Sequence, residues 1–195
     1  MWTEELERRV MNSRLRRFFH RRYEFPVYEA LLARAGVQIG PTTRVLDAGC
    51  GAGFASLLVQ EKSRSAAHYA FDLRPDQVYR ARRQLPAPVR LFAGDLCHLA
   101  MPAGALDVVL TFGVFHHLPW QQALGEMRRV LRPGGVLLGT EPQHDNPPLY
   151  HWKEFFAGLG RAGLLLAGTR PVYMKVFTAF LCFRDGKKLP GAALD

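Results

Sequence analysis

Short apolar runs alternate along this chain with stretches whose apolar positions recur every three or four residues. The runs predict strands at 44–48, 66–71 (ending at Asp72), 89–92, 106–112, 135–140, 164–167 and 177–183. Helical spacing falls at 54–60, 75–84, 120–131 and 150–160, with Pro75 suited to a first helical turn and Pro133 a stop signal. Strands and helices that alternate in this way predict an α/β fold, a seven-stranded, mostly parallel sheet with helices on both faces. Ahead of this region, Leu6, Val10, Leu15, Phe18 and Phe19 fall roughly on one helical face, with arginines on much of the remainder.

The link between the first strand and its helix reads DAGCGAG, residues 47–53. Glycines at 49, 51 and 53 permit positive φ and let a ligand approach the backbone. The helix that follows directs unpaired N–H groups at the same place. The dinucleotide pattern G-x-G-x-x-G/A fits neither register, since its sixth position falls on Phe54 or Ser56. A pyrophosphate there would also be repelled by Asp47, whereas a cationic ligand would be held. This stretch resembles the glycine-rich loop D/E-x-G-x-G-x-G of the class I S-adenosylmethionine-dependent methyltransferases, small-molecule type. That resemblance implies a Rossmann-like, doubly wound fold and S-adenosylmethionine as cofactor.

Three further stretches carry the resemblance across residues 41–185. AFDLRPDQV places Asp72 where a carboxylate accepts the ribose hydroxyls. AGDLCHL places Asp95 where the family's acid accepts from the adenine amine. VLTFGVFHHLP followed by VLRPGGVLLGTEP resembles the fourth strand, helix and fifth strand. The implied cofactor-binding residues are Asp47, Gly49, Gly51, Gly53, Phe54, Asp72, Leu73, Gly94, Asp95, Leu96 and Phe112. Methyl transfer is an in-line displacement, so alignment and exclusion of water are the protein's main tasks. A general base is needed only for a weakly nucleophilic acceptor, and His116 and His117 are the candidates. A structural role, bonding the loop backbone, is the competing reading for at least one of them, and Glu141 is equally open. DNPPLY, residues 145–150, resembles the [D/N]-P-P-[Y/F] loop of nucleic-acid amino-methyltransferases. It follows the wrong strand and has Leu149 in place of the aromatic, so a turn into the next helix is expected.

Composition narrows the rest. At 195 residues and 48% hydrophobic the chain can bury a full core. Three widely spaced cysteines, Cys50, Cys97 and Cys182, suggest neither a disulfide framework nor a zinc site, and no metal is implied. A charged start and the lack of any apolar run near the ~20 residues of a membrane span point to the cytoplasm. Of the net charge of +9, most sits between Arg8 and Arg22, which hold seven arginines and no acid. The expectation is therefore an N-terminal helical lid at 1–40 over a methyltransferase domain at 41–195, with Tyr23 and Tyr28 returning toward the site. Its partner would be a small-molecule acceptor, anionic if the arginines take part. The other readings are an RNA methyltransferase guided by those arginines, a nicotinamide oxidoreductase, and a non-catalytic adenosyl-binding domain.

Overall fold

The computed structural model describes residues 13–63, 67–143, 152–173 and 175–185. Seven strands form one sheet in the order β3-β2-β1-β4-β5-β7-β6. They are β1 (Arg44–Ala48), β2 (Ala67–Asp72), β3 (Val89–Ala93), β4 (Leu106–Phe112), β5 (Leu131–Pro142), β6 (Leu164–Val172) and β7 (Phe177–Arg184). Strands β1 to β5 run parallel, and β7 is antiparallel to both β5 and β6. The strand order reverses between β1 and β4, and in open α/β sheets ligands bind outside the carboxyl ends of the strands at such a point.

Central strands are almost wholly apolar because helices cover both faces. On one face pack α5 (Trp120–Val130) and α6 (Trp152–Arg161), which bury Leu124, Met127, Phe155 and Leu159 against Leu46, Val109 and Leu137. On the other, α2 (Phe25–Arg34) and α3 (Phe54–Ser63) bury Phe25, Tyr28, Leu31 and Leu58 against Val45, Val108 and Leu138. The remaining α4 (Pro75–Arg82) lies beside β2 and β3. Residues 25–34 therefore share the core of the sheet.

Two strands run further than the periodicity predicts. β5 begins at Leu131, immediately after α5, because Pro133 and Gly134 (φ 72°) make an irregularity inside the strand, between the pairs Leu106↔Leu131 and Val108↔Val136. β6 continues through Pro171, which an edge strand tolerates because one side needs no ladder donor. Of the helix expected at 150–160, the part from Trp152 is observed; Tyr150 and the whole of DNPPLY lie outside the described residues.

The N-terminal segment departs from its expected face. α1 (Arg14–Phe19) is capped by Ser13, whose Oγ accepts from Arg16 N–H at 3.0 Å. A π-helical turn, His20–Glu24, follows, with Phe25 N–H donating to His20 C=O, and α2 then starts at a proline-containing turn. Leu15 and Phe18 are exposed; Leu6 and Val10 lie outside the described residues. The buried side chains are His20 and Glu24 instead. Among the described residues no helix is long and apolar enough to cross a membrane.

Candidate active site

The loop after β1 turns at three glycines with φ of 79°, 52° and 87° at 49, 51 and 53, a region that side chains disfavour. A Cβ on Gly49 would strike Val114 at 2.6 Å and one on Gly53 would strike Leu85 at 2.9 Å, whereas Gly51 faces open space. Two of these residues fix the loop to the neighbouring strand, since Gly49 and Cys50 N–H both donate to Phe71 C=O at 2.9 Å. Asp72, at the end of β2, reaches back: Oδ2 accepts from Gly51 N–H at 2.9 Å and Oδ1 from Arg74 N–H at 3.0 Å. Partial burial is the leading cause that raises its pKa. Asp95 is half-exposed beyond β3, where it accepts from Cys97 N–H at 2.8 Å and faces His98. Gly94 N–H donates to Asp72 C=O, Leu96 is buried beneath the turn, and Leu73 stands exposed on the rim.

Asp47 is placed differently from Asp72. It is 1% exposed, and its Oδ2 accepts from Ser56 N–H at 3.0 Å and Ser56 Oγ at 2.6 Å, which anchors the first turn of α3. His68 and Gln60 complete a relay. Because Ser56 spends its hydrogen on Asp47, His68 Nε2–H donates to Ser56 Oγ (3.1 Å) and Nδ1 accepts from Gln60 (3.0 Å). Burial keeps that imidazole neutral, with its pKa lowered to about 4. Burial also raises the Asp47 carboxyl to about 6 against the opposing bonds from Ser56. Ser56, Gln60 and His68 carry no spacing signal; the contacts arise only when β2 pairs with β1.

The loop after β4 is held by Glu141, fully buried at the end of β5. One oxygen accepts from Val114 N–H (2.8 Å) and Phe115 N–H (2.9 Å), and the other from His116 N–H and the His116 Nδ1 side (3.3 and 2.6 Å). His116 is thus part of a clamp on its own loop, and the His117 ring lies tilted against it with centroids 3.8 Å apart.

Over the ends of β1 and β4 lies the N-terminal segment. The Arg17 guanidinium sits 3.8 Å from the centre of the Phe54 ring, at the start of α3, and Tyr28 stacks on Phe112, at the end of β4, at 4.6 Å. Glu24, buried, receives His20 Nδ1 (2.7 Å), Tyr28 O–H (2.9 Å) and the Arg16 guanidinium (2.5 Å). Burial alone would raise the Glu24 carboxyl, but the hydrogen bond from His20 and the Arg16 guanidinium hold it down at about 2. Arg16 and Arg21 are therefore ion-paired, the latter with Glu61 at 2.7 Å. His20 and Glu24 were not legible as site residues, being two polar positions in a segment dominated by arginines.

Residues 46–139 match a family described as a methyltransferase domain. The chain belongs to the class I S-adenosylmethionine-dependent methyltransferases. It is 35% identical over 138 residues to a probable S-adenosylmethionine-dependent methyltransferase of Mycolicibacterium smegmatis, covering 70% of this chain and 50% of that protein. It is 31% identical over 157 residues to a fatty-acid O-methyltransferase of the same organism, covering 80% of this chain and 55% of that one. The chain thus spans about half the length of these curated relatives. The fold is shared with a SAM-dependent methyltransferase from Aquifex aeolicus, with a TM-score of 0.75 at 19% identity, covering 94% of this chain and all of that one.

The residues present fit the cofactor of this methyltransferase family. Gly51 leaves backbone open to a ligand, Asp72 holds acceptor lone pairs beside it, and the surrounding carboxylates favour a cation over a phosphate. Among the described residues no cluster of three His, Cys, Asp or Glu side chains is placed to hold a metal ion.

Asp47 allows stability and binding to be separated. A folded pKa raised above the unfolded value means that the buried carboxylate costs stability as pH rises from about 4 to 6, by ~3 kcal/mol in full. Asp47→Asn, whose amide oxygen still accepts from Ser56, is expected to show a thermal midpoint at pH 8 no lower than the native chain. It should bind S-adenosylmethionine at least ~10-fold more weakly, because the charge is gone. A lowered midpoint with unchanged calorimetric affinity would make Asp47 purely a helix anchor.

Proposed function

We propose that this chain transfers a methyl group from S-adenosylmethionine to a small, lipid-like acceptor. The observation that carries the reading is the open glycine loop after β1, beside the β1/β4 switch point, with the Asp72 carboxylate of neighbouring β2 on Gly51 N–H and Asp95 just beyond the next strand, β3. When bound, the cofactor supplies a methyl carbon activated by the sulfonium. In this reading Asp72 accepts the ribose hydroxyls, Asp95 the adenine amine, and Asp47 lends negative charge near the methionine end. Glu141 keeps the loop after β4 in one conformation, so the acceptor meets the methyl carbon in line. The segment through Glu24, with Arg17 on Phe54 and Tyr28 on Phe112, serves as a lid that excludes water.

For the acceptor, the support is a cavity of about 430 Å³ lined by Trp152, Phe156, Pro171, Gln143, Thr169, Thr178 and Lys175. Its wall begins two residues beyond Glu141. Aromatic rings suit an apolar chain, and Lys175 suits an anionic group on it. Named relatives that act on fatty acids or malonyl-[acyl-carrier protein] agree with this class of acceptor. Incubation with methyl-labelled cofactor and fractionated cell extract is expected to label the organic-extractable fraction, and Phe156→Lys should remove that labelling with cofactor affinity within ~2-fold of native. Label confined to RNA would replace this reading with the RNA methyltransferase.

A further inference from the structure

His20 is 6% exposed and lies over the point where the strand order reverses. Its ring centroid is 5.6 Å from that of Phe112, at the end of β4, and 5.9 Å from that of Tyr28. Only one ring nitrogen is engaged. Nδ1 is 2.7 Å from Glu24, whereas Nε2 is buried with no hydrogen-bond partner among the described residues. An unpaired buried nitrogen is costly and calls for an explanation. The backbone adds a second unusual feature, since His20 and Glu24 begin and end a π-helical turn. Such turns are rare, and here the widened turn puts both residues on the buried side.

The polar groups around the ring orient it. Glu24 stays ionised between Arg16 on α1 and Tyr28 on α2, so it accepts the Nδ1 hydrogen. The lone pair of a neutral ring then lies at Nε2. Tyr173, on the turn after β6, meets the same cluster through Arg16. Asp47, at the end of β1, spends its contacts on Ser56. His116, a base candidate named for its imidazole, is also bonded through Nδ1 to a buried glutamate, but its backbone N–H is held by the same Glu141, within the loop after β4.

We propose that His20 is the proton acceptor of the transfer step and that Glu24 positions it, the acceptor being a molecule that presents a protonated atom such as a hydroxyl. This rests on the methyl-transfer reading above. Nε2 takes the acceptor's proton while the electron pair of the acceptor oxygen forms the bond to the methyl carbon. The pair of the broken carbon–sulfur bond stays on sulfur. His20 leaves the step as imidazolium against Glu24 and returns its proton to water.

The test needs no acceptor. Sinefungin carries an amine where the cofactor carries its methyl group, and S-adenosylhomocysteine carries nothing there. If Nε2 faces that position, it accepts a hydrogen bond from the amine. Calorimetry on the full chain is expected to show His20→Asn, which keeps a donor toward Glu24 but has nothing at the place of Nε2, weakening sinefungin at least ~10-fold. S-adenosylhomocysteine should change less than ~2-fold. His20→Phe, which retains an aromatic ring against Phe112, should behave alike if the Asn variant is poorly folded. Equal effects on both ligands, or on neither, would overturn the role of His20 and leave the methyltransferase reading standing. Failure of both ligands to bind the native chain would overturn both.

Discussion

Asp72→Ala is expected to weaken S-adenosylmethionine binding by at least ~100-fold. The carboxylate is the candidate acceptor for two ribose hydroxyls, and hydrogen bonds to a charged group contribute about 1.5–3 kcal/mol each. The same side chain also holds Gly51 N–H and Arg74 N–H, so the loop itself loosens when the carboxylate is removed. Asp72→Asn separates these effects, because an amide oxygen can still accept from Gly51 while the charge is lost; its affinity should fall between the native and Ala values. Since burial raises the Asp72 pKa, affinity should also decline on acidification, as the protonated carboxyl loses acceptor strength. Unchanged affinity in Asp72→Ala, measured by calorimetry on folded protein, would remove Asp72 from the cofactor site.

Glu141→Ala should be the most destabilising single change at the site. Three backbone N–H groups and His116 depend on one buried carboxylate, and breaking such a cluster costs about 3–5 kcal/mol, because its donors are left without partners. For a chain of this size that corresponds to a fall in thermal midpoint of roughly 10 °C. Turnover should fall further than cofactor affinity, since in the proposed reading the loop after β4 aligns the acceptor and the ribose is held by Asp72. A midpoint within about 2 °C of native would show that water replaces the carboxylate and that the clamp contributes little.

Much of this protein follows from local pattern. The mostly apolar runs at 44–48 and 106–112 read as strands, being too short for helices, and both are largely buried in the centre of the sheet. Gly49, Gly51 and Gly53 announced a turn that side chains cannot make, and all three have positive φ. Asp72 closes β2 and Asp95 lies just past β3, as the apolar runs ahead of each acid indicated. Such features involve residues close in sequence, so composition and spacing carry them.

Other features joined residues that only the folded chain brings together. Pro133 and Gly134 read as the end of one element, yet the pairing of β5 with β4 carried the strand through them. Asp47, expected at the cofactor site from the glycine-loop pattern, also anchors Ser56 on α3, a contact that no spacing announces. His116, open between a base and a structural role from its sequence, bonds Glu141, 25 residues away. Conversely, His20 and Glu24 became central only because a π turn rotated them inward and Tyr28 settled on Phe112. The sequence by itself determined the strands, the glycine turn and the family, since each is written in neighbouring residues. Which polar groups face a ligand and which are spent on one another was decided by the tertiary structure, because a buried hydrogen bond depends on where distant elements pack.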